Sequence, residues 1–198
     1  MVNMRPFTAF EQKNLKFLVN HNVKFTIVEI TPTGLGKGIL DSTAPMRAYF
    51  LENGIHNYEE QLQGQEHKQI KQACILTDAT QFFTKASFYR PNTKKGDPRM
   101  WIYGFGSYTE GNDIHVLFWH EQTLYSINIT HIDIDKCYNS AIITPIQDIL
   151  KAINKEGNSV SEELLGRFRA VKDKWFESEV TADTGIGRTI ESFLGISM

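Results

Sequence analysis

The sequence predicts a mainly β domain (α+β by content), a pseudobarrel of about seven strands with short flanking helices and a C-terminal connector helix. Three observations carry this. Short runs rich in β-branched and aromatic residues recur at near-regular spacing from Ala73 to Ile129. Turn signals separate them: Pro91–Pro98, Glu110–Asp113 and Glu121-Gln122. Helical periodicity is confined mostly to the two ends of the chain.

In order, residues 8–20 place Phe10, Leu15 and Leu18 among Glu11, Lys13 and Lys16, the pattern of a short amphipathic helix. Val23–Ile30 alternates as a strand, and Thr31–Gly38 reads as a flexible loop. Met46–Leu51 fits one or two helical turns, and the polar residues 53–71 read as loop with a little helix. Strands are expected over 73–77, 82–89, 99–105, 114–119 and 123–129. A helix is expected over Pro145–Lys155. Another opens at Ser159, where Ser159 and Glu162 make a capping box ahead of Leu164, Phe168, Val171 and Trp175.

Composition narrows the classes. Of 198 residues, 41% are hydrophobic and 22% charged, ordinary globular values. The formal net charge is -2, so any nucleic-acid binding must come from a local basic patch. Cys74 and Cys137 lie far apart with no CxxC spacing, which points to buried thiols in a reducing cytoplasm rather than a disulfide framework. No signal-peptide core and no membrane-length apolar run are present.

Two connections carry chemistry suited to DNA. The first, Arg90-Pro-Asn92-Thr-Lys94-Lys95-Gly-Asp97-Pro-Arg99, is a basic loop flanked by aromatic strands. Arg forks onto guanine O6/N7, a carboxylate accepts from the cytosine amino group, and lysines neutralise phosphates. A solvated hairpin tip uses the same residue types, and composition alone favours that plainer reading. The second, Thr33-Gly34-Leu-Gly-Lys37-Gly38, lets the backbone approach a partner closely beside one cation. A P-loop is excluded, since Thr31 stands where the first Gly is required and Gly38 where Ser or Thr would bind magnesium. A plain turn and a groove-contacting arm remain equally open.

The order of these segments over residues 20–145 resembles the B3-like, EcoRII-N-like DNA-binding domain, a pseudobarrel that grips a duplex between an N-arm and a C-arm. By this resemblance Thr33, Gly34, Lys37 and Gly38 fall on the N-arm, and Arg90, Asn92, Lys94, Lys95, Asp97 and Arg99 on the C-arm. The family's acid two residues before an Arg is met by Asp97 and Arg99; Pro98 departs from its basic residue. The segment Asp183–Met198 resembles the opening G-x-G-x-T-x-E-x-x-L-G motif of MvaI/BcnI-like nuclease domains, through Gly185, Gly187, Thr189, Glu191, Leu194 and Gly195.

Together the two resemblances imply the effector domain of a type IIE restriction endonuclease, residues 1–157, then residues 158–198 as connector helix and truncated start of the nuclease half. They imply a bacterial or archaeal cytoplasmic protein, a monomer, that binds double-stranded DNA at a 5′-CCWGG-type site. The domain itself needs no cofactor and is not an enzyme. Mg is expected for the parent nuclease, with Glu191 an outlying member of its site.

Competing constellations are weaker. His131, Asp133, Asp135 and Cys137 would share one face of a strand, as in a small metal-dependent hydrolase, but Ile132 and Ile134 alternate as in an ordinary half-buried strand. Glu66-His-Lys68 and Glu11-Gln-Lys13 are formal Glu-x-Lys matches in polar sequence without an upstream Asp on a buried strand. His115 and His120 read as strand-end polar residues, and Trp101, Tyr103 and Phe105 as core. A protein-interaction module with a merely superficial basic loop is the remaining alternative.

Overall fold

The short apolar runs assemble into a single seven-stranded sheet, in which β1 and β5 bury alternate side chains while β6 and β7 are buried on both faces. The computed structural model describes residues 4–155, Gly157 and Leu165. The chain separates into two compact units, Met1–Ile153 and Asn154–Met198. The Ser159 capping box, the glycine-rich Gly185–Gly195 run and Glu191 lie outside the described residues.

The strands are β1 (Thr26–Glu29), β2 (Leu40–Asp41), β3 (Gln69–Leu76), β4 (Gln81–Tyr89), β5 (Arg99–Ile102), β6 (Ile114–His120) and β7 (Thr123–Asn128). Their order is β1-β6-β7-β3-β4-β5-β2, antiparallel except for the parallel β3–β7 pair. The helices are α1 (Ala9–Asn20), α2 (Pro32–Lys37), α3 (Ala44–Glu52), α4 (Ile134–Tyr138) and α5 (residues 145–155). No described helix is long and apolar enough to cross a membrane.

The sheet is barrel-like and has two cores. Inside lie Val28, Leu40, Ala73, Ile75, Ala86, Phe88, Met100 and Ile102 from the strands, closed by Met46, Tyr49 and Phe50 of α3. Outside, Cys74, Leu76, Val116, Phe118 and Ile127 pack under Leu18 of α1, Ile134 and Cys137 of α4, and Ile146 and Leu150 of α5. Strand β6 serves both cores, with Leu117 inward and Val116 and Phe118 outward. That is why its sequence is a continuous apolar run rather than an alternation. The β6–β7 hairpin turns on Glu121 and Gln122, at φ 44° and 60°. Positive φ at both central residues suits the right-handed twist of the strands they join.

Three expectations are corrected. Residues 31–38 are not a flexible loop but contain α2, because Thr31 caps it, Pro32 presets its first turn and Gly38 closes it in the left-handed region. Residues 131–137 are not a strand. Asp133 accepts from the Lys136 amide and nucleates α4, which local side-chain capping favours over extension. Strand β3 begins at Gln69, inside the stretch read as loop, since strand pairing with β4 overrides its polar composition.

Helix α1 opens on a reciprocal capping box between Thr8 and Glu11. The Glu11 carboxylate is fully buried and also accepts from Arg5 and from the Thr130 hydroxyl. The Arg5 hydrogen bond holds its carboxyl at about 2 against an ordinary 4.5. A carboxyl depressed in the folded state stabilises the fold in full above its unfolded pKa, and that contribution is lost as pH falls from about 4.5 to about 2. Glu11→Gln is expected to cost about 1–3 kcal/mol at neutral pH and to flatten the acid limb of stability in that window. Urea unfolding midpoints across a pH series check both effects.

Candidate nucleic-acid interface

The basic loop and the glycine-rich connection are joined through a short ladder. Strands β2 and β5 pair Leu40 with Met100 and Asp41 with Arg99. Leu40 and Met100 are 2% and 0% exposed and point into the barrel. The two-residue pleat therefore turns Asp41 and Arg99 outward. Across β5, Arg99 pairs with Tyr89 of β4, so Tyr89, Arg99 and Asp41 form one cross-strand row. Ser87 and Trp101 start the next row.

The backbone under this row is pinned. The Ser42 amide donates to the Pro98 carbonyl at 2.9 Å. The Ser42 and Tyr58 hydroxyls share a 2.7 Å bond, and Tyr58 donates to the Arg99 carbonyl at 2.8 Å. Burial pushes the Tyr58 phenol well above its ordinary pKa, so it remains a donor at physiological pH.

The β4–β5 loop rests on the segment before β3. Arg90 donates from Nε to the Gly96 carbonyl at 3.0 Å and from Nη1 to the carbonyls of Gln61 at 3.2 Å and Tyr58 at 3.5 Å. The Gly64 amide donates back to the Arg90 carbonyl at 2.9 Å. Gly96 sits at φ 58°, and a side chain there would run into Gln63. Gln61 is itself buried. Its amide donates to the Phe88 and His67 carbonyls, and its oxygen lies 3.0 Å from His56 Nε2. Arg90 is thus a staple that shapes the loop from behind. Asn92, Lys94, Lys95 and Asp97 are exposed, and Arg99 is half-buried. The Gln61–Gly64 support was not legible in sequence, because its bonds reach backbone carbonyls far along the chain.

On the other connection, α2 presents Thr33 and Lys37 to solvent, with Gly34 and Gly38 half-buried. Gly38, at φ 63°, lies against the Trp101 indole, which a Cβ would meet at 3.5 Å. The two connections therefore leave opposite ends of the β2–β5 pair. Between them the ladder is two residue pairs long, about 7 Å. Helices α1, α4 and α5 cover β6, β7 and part of β3, and leave Phe83 and Lys85 of β4 exposed. Tyr103 is also exposed, Trp101 half-buried and Phe105 fully buried, so only the last of these three aromatics is wholly core.

The competing constellations resolve differently. His131 Nε2 lies 2.9 Å from Asp113, Asp133 and Asp135 pair with Lys13, and Cys137 is buried. Among the described residues no group of three His, Cys, Asp or Glu side chains is placed to hold a metal ion. His115 stands at the start of β6 and is fully buried, 2.9 Å from the Ser126 hydroxyl and 3.0 Å from that of Thr109. Desolvation pushes its imidazole down to about 3, so it stays neutral. Ser126 is also 0% exposed, so no substrate reaches this Ser–His pair. Its role is to satisfy polar groups inside the fold.

No protein-family model matches this chain, and no curated protein and no solved structure matches it significantly. Arg90→Ala is expected to lower stability by about 1–3 kcal/mol and to raise amide exchange across residues 91–98 selectively. Hydrogen–deuterium exchange on the variant reads this directly; unchanged protection in the loop would remove Arg90 from the staple role.

Proposed function

We propose that this domain binds double-stranded DNA in a sequence-specific manner, with the outer face of β2, β5 and β4 as its contact surface. One observation carries the reading: two cation-bearing connections lead into the paired strands β2 and β5, whose two-residue ladder holds both at one edge of the sheet. A B-DNA major groove carries phosphates on both walls, which cations on two neighbouring connections suit. Lys37, Lys94 and Lys95 are the phosphate contacts, and Arg99 with Asp97 the base readers.

The finer reading follows the sequence resemblances. The fold is a B3-like, EcoRII-N-like pseudobarrel serving as effector or targeting domain of a type IIE restriction endonuclease, and its site is of the 5′-CCWGG type. Phosphodiester hydrolysis belongs to an MvaI-like half that Glu191 would help to open, where Mg would supply the metal. The strand content, the outward Arg99 and the exposed Lys94 and Lys95 are what support this.

Arg99→Ala is expected to weaken binding to a preferred duplex by about 1–3 kcal/mol with a smaller effect on scrambled sequence. Lys94→Ala is expected to weaken all duplexes alike and to lower the salt slope by about one phosphate. Gel shifts on 5′-CCWGG and scrambled duplexes over a salt series measure both. Equal losses on the two duplexes for Arg99→Ala would refute base reading, and no binding at low salt would refute the proposal itself.

A further inference from the structure

The Arg99 side chain is held in an unusual way. Its Nε is buried and has no hydrogen-bond partner among the described residues. The nearest carboxylate is Asp41, with Oδ1 at 3.6 Å, inside ion-pair range but beyond a hydrogen bond. Asp41 is 77% exposed and Arg99 28%. The pair faces outward from paired strands whose backbones are fixed on both sides, by Leu40 and Met100 in the core and by Tyr58 on the Arg99 carbonyl. An exposed ion pair of this kind adds only about 0–1 kcal/mol to stability, so folding alone gives it little purpose. An acid beside the basic connections also weakens attraction to every phosphate it faces.

We infer that Asp41 is a specificity-determining residue of this face, acting with Arg99 on one G·C pair. The inference rests on the DNA-binding reading and revises one part of it, setting Asp41 of β2 in place of Asp97 as the acid that reads beside Arg99. Cross-strand neighbours stand about 4.5–5.5 Å apart at Cα. Their heads therefore present a fork of donors beside an acceptor. In the major groove a G·C pair offers the converse, acceptors O6 and N7 on guanine and the amino donor on cytosine. The carboxylate orients the guanidinium for guanine and takes the cytosine amino hydrogen. Its charge penalises the alternative in which Arg99 is captured by a phosphate. Asp97 lies in the loop ahead of β5, whereas Asp41 sits on the ladder, paired to Arg99.

The test uses the full chain. Wild-type protein first selects its preferred duplex from a randomised pool, and anisotropy titrations then compare that duplex, versions with each G·C pair replaced by A·T, and a scrambled duplex, over a salt series. Asp41→Asn keeps side-chain size at an exposed position. Asp78→Asn, in the β3–β4 turn, removes the same charge elsewhere. Asp41→Asn is expected to bind the scrambled duplex several-fold tighter, with a salt slope steeper by about one. It is also expected to lose about tenfold discrimination at one G·C position. Asp78→Asn should leave both readouts within about twofold of wild type, as expected for a charge remote from the duplex. Wild-type discrimination retained by Asp41→Asn would overturn the inference alone, as would the same loss in Asp78→Asn. Absence of any duplex binding by the wild type would instead overturn the DNA-binding reading on which it stands.

Discussion

The pairing of β2 with β5 is the constraint from which the rest of the candidate interface follows. It is only two residues long, yet it joins the segment after α2 to the strand after the basic loop. A ladder so short has little strength of its own, and the surroundings supply it. Leu40 and Met100 are locked in the inner core, the Ser42 amide reaches the Pro98 carbonyl, and Tyr58 bridges Ser42 to Arg99. Without Tyr58, the carbonyl of Arg99 and the hydroxyl of Ser42 would lose buried partners together, at the cost that unsatisfied polar groups carry.

The same economy explains why the contact face lies where it does. The outer surface of the sheet is divided. Over β6, β7 and the end of β3 it is apolar and roofed by helices; over β4 and β5 it is polar, basic and aromatic. A sheet face without a helical roof must be wettable or must bind something. Here Lys85, Arg99 and Asp41 keep it wettable, while Trp101 is half covered by the turn at Gly38.

Much of the architecture was legible from sequence because it depends on local periodicity. Thr26–Glu29 within the expected Val23–Ile30, the aromatic run 82–89 and the 114–129 hairpin became strands, and α1 and α5 fell where their apolar spacing put them. The exceptions have physical causes. Gly34 and Gly36 hid α2, whose caps at Thr31 and Gly38 outweigh the poor propensity between them. Ile132 and Ile134 imitated a strand, but only Ile134 is in the core and Asp133 turned the chain into α4. For the site, the exposed loop cations were visible in advance. That Arg90 faces backward onto Gly96, Gln61 and Tyr58 was not, because an arginine in a basic loop looks the same whichever way it points.

What the sequence determined by itself is most of the elements and the two places where cations and glycines gather, since both follow from neighbours within a few positions. What only the tertiary structure decided is which of those residues meet. Asp41 comes to stand beside Arg99, and Gln63 beneath Gly96, through strand pairing and long-range hydrogen bonds. Those partners are set by the register of the sheet, and register is a property of the whole packed fold rather than of any single segment.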